Sequence, residues 1–358
     1  MSYRSKERVL AALAHEQPDR VPINYLANPG IDQRLKNFYK LSSGNDEDLF
    51  SLLNVDFREV APVYRGCKLH PDVPEKGIKV DDWGIHRRWV EHPSGGYWEY
   101  CEFPLQDADE DEVANWPMPS PDDYDYSVIA GECRAKQPYA VFLGGPGQAD
   151  VINKAGMLRG TEQALIDLIT EDPAGLLFNQ RRTDIQLEIL RRTLEAAEGG
   201  IDLLWIGDDL GTQIAPMISL ELYRKLIRPI HQKFVDLASS FGIPVLFHSC
   251  GSSSWAFEDF IEMGISAVDT LQPEAAEMAP RSLKQRFGGR LAFHGCISTA
   301  GPVAMGTRVE TIDYCREILE IMMPGGGYLF SPTHKLQDNS PTENVIAMYE
   351  TALRYGSY

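Results

Sequence analysis

Positive charge is in short supply in this chain: 34 Lys and Arg face 52 Asp and Glu, for a formal net charge of -18. An acidic surface with dispersed cations repels a polyanion, which excludes nucleic acid as a partner. Long apolar runs are missing too. No stretch approaches the roughly 18 to 20 residues needed to cross a bilayer. Met1-Ser2-Tyr3-Arg4-Ser5-Lys6-Glu7-Arg8 has no signal-peptide core behind its charges, so no membrane role and a cytoplasmic location are expected. Cysteine is sparse, at 67, 101, 133, 250, 296 and 315, without C-x-x-C spacing. That pattern is no disulfide framework and fits a reducing compartment. Nucleotide fingerprints are absent: Gly144-Gly145-Pro146-Gly147 and Gly325-Gly326-Gly327 lack G-x-G-x-x-G spacing, and no G-x-x-x-x-G-K-[ST] occurs.

What is present is a repeated grammar. After residue 138, short apolar runs ending in Gly, His, Cys or Asp alternate with helical stretches, which implies parallel strands with helical crossovers. Strands are predicted at Tyr139–Leu143, Leu203–Ile206, Pro244–Phe247, Ala267–Leu271, Leu291–Phe293 and Tyr328–Phe330. Val21–Tyr25 and Asp56–Val63 bring the count to eight. Eight strands suit a (β/α)8 TIM-type barrel. A doubly wound open sheet shares the alternation, but its glycine signature is not found. With 358 residues and 43% hydrophobic content, one domain over 1–358 is the simplest division.

Residues 1–19 read as an N-terminal helix capped by Ser5 and closed by Pro18 and Asp19. From about 64 to 136 the text is rich in Pro, Gly, Asp and Trp without a sustained period, predicting an insertion of loops and short strands. Near the end, Ser340, Pro341 and Glu343 predict a capping box, and Val345, Ile346, Tyr349 and Leu353 form the core stripe of the helix that follows.

In a parallel barrel, the residues just past the strands converge on the C-terminal mouth. Here they are Asp208, Asp209, His248, Cys250, Gln272, His294, Cys296 and His334. Residues i and i+2 of an extended segment share one side, so His248 and Cys250 can grip one ion. An imidazole and a thiolate suit Zn²⁺, which takes nitrogen at about 2.0 to 2.1 Å and sulfur at about 2.3 Å. His334 is the expected third ligand and Cys296 the alternative. A hydrogen-bonded barrel histidine beside a small buried cysteine is the bland reading of the same pair. Asp208 is the expected proton-transfer group, with burial raising its pKa. Asp209 should face the other way. Asp209, Gln272, His294 and Gln337 are candidates for hydrogen bonds to a small-molecule substrate.

Three stretches carry a family likeness: Arg8-Val9-Leu10-Ala11-Ala12-Leu13 with Pro18-Asp19-Arg20-Val21-Pro22, then His248-Ser249-Cys250-Gly251, then Pro341-Thr342-Glu343-Asn344-Val345. By these the chain resembles the uroporphyrinogen decarboxylase superfamily, which includes the decarboxylases and the zinc methyltransferases serving corrinoid proteins and coenzyme M. The decarboxylases carry an R-Q-A-G-R loop after the first strand. Asn24-Tyr25-Leu26-Ala27-Asn28-Pro29-Gly30 stands there instead, with no arginine for a polycarboxylate. The resemblance at His248 and Cys250 is to the methyltransferase branch, whose zinc motif begins H-x-C. That branch usually has a third-ligand cysteine where this chain has His334, a place where decarboxylases also carry histidine.

The resemblance therefore implies a zinc-dependent methyltransferase that moves a methyl group between a small methylated compound or thiol and a corrinoid. No D-x-H-x-x-G stretch is present, which puts the corrinoid on a separate partner protein. A homodimer is also implied by the resemblance. The alternatives are uroporphyrinogen decarboxylase or a related metal-free carboxy-lyase using Asp208 and His334, and a noncatalytic binding protein that retains the barrel.

Overall fold

The computed structural model describes residues 3–92 and 95–358. Seven strands form one curled parallel sheet of the TIM-like kind: β1 (Phe57–Val60), β2 (Ala140–Gly144), β3 (Leu203–Gly207), β4 (Val245–Ser249), β5 (Ala267–Thr270), β6 (Ala292–Ile297) and β7 (Tyr328–Pro332). Each pairs with its neighbours in sequence order. Helical crossovers cover the outer face, so the strands are buried on both sides and read as near-continuous apolar runs.

The predicted strand at Val21–Tyr25 forms one isolated bridge, Ile23 to Phe330, rather than a strand. Its backbone nevertheless spans the two sheet edges. Phe330 N–H donates to Pro22 O (2.8 Å), Asn24 N–H to Phe330 O (2.9 Å), and Asp56 N–H to Ile23 O (2.8 Å). Regular pairing fails for two local reasons. Pro22 has no N–H to give, and the Ile23 N–H donates to the Asp56 carboxylate at 2.8 Å instead of to a strand. The predicted strand at Asp56–Val63 stops at Val60, and beyond Pro62 the pair Val63–Tyr64 runs antiparallel to Tyr124–Asp125.

Alternation along the strands sorts two cores. Phe57, Ala140, Leu203, Trp205, Leu246, Ala267, Ala292 and Leu329 fill the sheet's concave interior, where Val9, Ala12 and Leu13 of helix α1 (Ser5–Leu13) pack against them. Leu204, Ile206, Val245, Phe247, Val268 and Phe293 point outward into the layer shared with the helices. Arg4, not Ser5, stands at the N-cap position of α1, where its N–H donates to Glu7 Oε2. In the last helix, Thr342–Tyr355, Pro341 takes the N-cap position without a side-chain cap, and among the described residues Ser340 Oγ has no hydrogen-bond partner. Val345, Ile346 and Tyr349 are buried as expected.

Within 64–136, Ile78–Val80, His86–His92 and Gly95–Tyr100 form an antiparallel three-stranded sheet. The last part of that stretch departs from the expectation: Ile129–Lys136 is a helix leading into β2. Among the described residues, no helix is long and apolar enough to cross a membrane.

Candidate functional site

Strand parity decides which side chains enter the mouth. In β4 and β5 the inward positions Leu246 and Ala267 are followed, two residues on, by His248 and Asp269. In β6 the same step from Ala292 reaches His294. The register sets His248 opposite Asp269, and Asp269 opposite His294. Gly207, opposite His248 in β3, is required for that approach, since a Cβ there would lie 2.6 Å from His248 Cβ.

These residues form one buried polar chain. Asn24 Oδ1 accepts the Tyr25 N–H at 2.8 Å, which orients the amide so that Nδ2 faces His294 Nε2 at 3.1 Å. His294 Nε2 is thereby the acceptor, and its Nδ1–H donates to Asp269 Oδ1 at 2.5 Å. His248 Nδ1 lies 2.5 Å from Asp269 Oδ2 and 2.9 Å from Thr270 Oγ1. Burial pushes the Asp269 carboxyl up, but the two imidazoles outweigh it and hold the group well below the usual carboxylate range. Burial works against charge on His248, yet Cys250 and Asp269 raise its pKa well above the ordinary value.

With Nδ1 committed to Asp269, His248 turns Nε2 into the mouth. Cys250 Sγ lies 3.3 Å away and Asp209 Oδ1 3.6 Å away. Asp209 Oδ1 also accepts the Cys250 N–H at 2.8 Å. One ligand atom from each of Asp209, His248 and Cys250 falls within 4.8 Å of the others. Burial raises the Cys250 thiol, with His248 pulling the other way. Nitrogen, sulfur and carboxylate donors are the set that Zn²⁺ takes, and a carboxylate behind the imidazole is the usual way to fix a ligating histidine. The residues present fit that ion.

The remaining sequence candidates fall elsewhere. His334 is exposed on the loop after β7, its Nδ1 3.4 Å from Gln337 Nε2, and it is outside the group of three donors. The protein packed around the inner side of the ring lowers its pKa by desolvation, and the nearby His248 charge lowers it further. Cys296 is removed from the mouth. Gly295 and Cys296 have φ of 118° and 66°, which breaks the alternation, and the thiol joins the outer core, where burial raises its pKa strongly. Gln272 Oε1 accepts the Gly251 N–H at 2.6 Å, beside the group of three donors. Gln337 accepts from Asn28 Nδ2 at 3.0 Å and ties the His334 loop to the 24–28 segment.

The expected roles of the two adjacent aspartates change places in space. Asp209 reaches the donors, whereas Asp208 is fully buried and accepts the Val151 and Ile152 N–H groups at 3.1 and 3.3 Å. Burial, against those two donors, pushes its pKa up to about 7. It positions the start of helix Ile152–Arg159 rather than facing the mouth. Asp269 and Asn24 were not singled out from sequence. A signal for Asp269 exists, because a carboxylate inside the apolar run Ala267-Val268-Asp269-Thr270 must find a partner when buried.

A family model described as Uroporphyrinogen decarboxylase (URO-D) matches residues 126–355. Uroporphyrinogen decarboxylases from three strains of Coxiella burnetii are 23% identical to the chain over 177 residues, 49% of this chain and 46% of each relative. The chain thus spans about half the length of the curated relatives it matches. Among solved structures, a methyltransferase from Methanosarcina mazei has the same fold, with a TM-score of 0.66 over 99% of both chains at 16% identity.

Proposed function

Since the chain belongs to the uroporphyrinogen decarboxylase (URO-D) family, we propose that it is a zinc-dependent methyltransferase, moving a methyl group between a small methylated compound or thiol and a corrinoid on a separate protein. The observation that carries this reading is the convergence of His248 Nε2, Cys250 Sγ and Asp209 Oδ1 in one open mouth, with Asp269 behind the imidazole. The fold shared with the Methanosarcina mazei methyltransferase is in keeping with it.

His248, Cys250 and Asp209 would hold the ion. Zinc bound there supplies Lewis acidity, favouring the thiolate form of a substrate thiol or polarising an ether oxygen. Asp269 keeps His248 Nδ1 protonated and the Nε2 lone pair aimed inward. Gln272 holds the Cys250–Gly251 turn in place through the Gly251 N–H. His334, at the rim and biased towards its neutral form, is suited to meet the substrate and accept a proton from it. A carboxy-lyase acting on a polycarboxylate is disfavoured by the arginine-free segment Asn24–Gly30, whose Asn24 amide is spent on His294 and Tyr25.

Metal analysis joined to a methyl-transfer assay tests the reading. Purified protein should carry stoichiometric zinc that Cys250→Ala loses, and it should demethylate methylcobalamin in the presence of a thiol. Zinc-free protein that releases carbon dioxide from uroporphyrinogen would falsify it.

A further inference from the structure

A second cavity opens behind the loop that follows β2. It has a volume of about 300 Å³ and lies between that loop, helix Ile152–Arg159 and helix Pro173–Ala196, with Trp83 as part of one wall. Two cations line it, Lys154 and Arg182. Among the described residues neither forms an ion pair with a carboxylate, and those that act on them do so from a distance. Arg182 is only 6% exposed. Its Nη1 and Nη2 donate to the backbone carbonyls of Asp150 (2.5 Å) and Gly147 (2.7 Å), and the carboxylates of Asp150, Asp208 and Asp81 act on its charge from beyond ion-pair distance without offsetting its burial. Among the described residues Lys154 Nζ has a single hydrogen-bond contact, Met157 Sδ at 3.8 Å.

The carboxylates nearby are occupied. Asp81, on the cavity wall, accepts the Trp83 and Ile85 N–H groups, each at 3.0 Å, and pairs with Arg87 at 2.9 Å. Asp150 accepts the Asn153 and Lys154 N–H groups. Burial lowers the pKa of Lys154, and the Arg182 charge lowers it again, as expected of two like charges sharing one enclosed space. Such an arrangement is costly for an empty protein and becomes favourable when an anion enters between the cations.

We propose that this cavity binds the oxyanion group, a carboxylate, phosphate or sulfonate, of a small organic molecule, with Lys154 and Arg182 as its counter-charges. The volume is at the lower end for ligand pockets, which limits the occupant to a small molecule. The site communicates with the mouth through its own loop: Asn153, beside Lys154, donates Nδ2 to Asp209 Oδ2 at 2.9 Å, and Gln148 O accepts the Gly207 N–H at 2.8 Å. The inference stands apart from the zinc reading, because none of its residues is a proposed metal ligand.

Titration calorimetry with inorganic phosphate, methanesulfonate and acetate, each against neutral dimethyl sulfone at matched ionic strength, tests it. Wild-type protein should bind at least one of the anions saturably and not the sulfone, and the anion preferred identifies the group. Lys154→Met should weaken that binding about tenfold or more, Lys154→Arg should restore most of it, and ligand-free Lys154→Met should melt no lower than wild type. Absence of saturable anion binding to the wild type, equal affinity in Lys154→Met, or a melting temperature that falls along with the affinity overturns the proposal.

Discussion

His248 Nδ1 lies 2.5 Å from Asp269 Oδ2, and this contact determines that Nε2 is the nitrogen facing Cys250. Removing the carboxylate charge should loosen the imidazole and weaken its donor strength. Asp269→Asn is therefore expected to lower zinc affinity about 10- to 100-fold, measured by competition with a chromophoric chelator. An affinity equal to that of the wild type would mean that His248 is no ligand.

The same contact shows what could be read from sequence and what could not. The apolar runs place the starts of all seven sheet strands to within one residue, because a buried parallel strand leaves a continuous signature. The mouth is harder. The i, i+2 spacing points to His248 and Cys250, but Asp209 reads as a substrate contact rather than a ligand, although it shares the parity of Leu203, Trp205 and Gly207. Counting from the inward residues would have chosen it over Asp208. Cys296 misled for a different reason: alternation assumes extended backbone, and two successive positive φ values cancel it. Asp269 does its work through a contact across strands, which no local pattern encodes.

Asp209 and His334 are separable by one pair of variants. Asp209 Oδ1 both sits among the donors and holds the Cys250 N–H, so Asp209→Ala should reduce bound zinc after dialysis. His334→Ala should keep its zinc and lose turnover, since His334 is outside the donor group. Metal content by mass spectrometry, read beside the methyl-transfer rate, decides. Loss of zinc in His334→Ala with retention in Asp209→Ala would reverse the two assignments.

Acid should act on a different buried pair. His231 and Asp208 approach to 3.3 Å, yet this is not a salt bridge: among the described residues His231 Nε2 finds no hydrogen-bond partner, and burial lowers its pKa to about 3. Neutral His231 contributes stability above its ordinary value of 6.5, and that contribution is lost as the pH falls towards 3. Asp208, raised to about 7, works in the opposite sense, its contribution being full in acid and lost as the pH rises through 7. The two slopes oppose each other in the wild type, so the comparison with His231→Leu is the informative one. Between about pH 6 and 4, the stability of wild type relative to His231→Leu should fall by about 1.4 kcal/mol per pH unit, measured by urea unfolding. A pH-independent difference would show that His231 does not titrate differently in the two states.

Closure of the sheet rests on Asp56, and this too can be measured. Its carboxylate is fully buried and accepts from Arg8 Nη1 (2.7 Å), Arg20 Nη1 (2.7 Å), Arg20 Nη2 (3.1 Å) and the Ile23 N–H (2.8 Å). Breaking a buried ion pair from one side costs about 3–5 kcal/mol, because the partner's charge stays behind. Arg8 keeps Asp19 at 2.7 Å, so the loss in Asp56→Asn falls mainly on Arg20 and the Ile23 amide, placing the expected cost near the lower end, about 3 kcal/mol. The damage should also be local. The Asn24 and Phe330 amides, which tie the 21–24 segment to β7, should exchange with deuterium faster relative to the amides of β4 and β5. Uniform acceleration across the sheet would mean that Asp56 supports the whole barrel rather than its seam, and a cost below about 1 kcal/mol would put the pair among ordinary surface bridges.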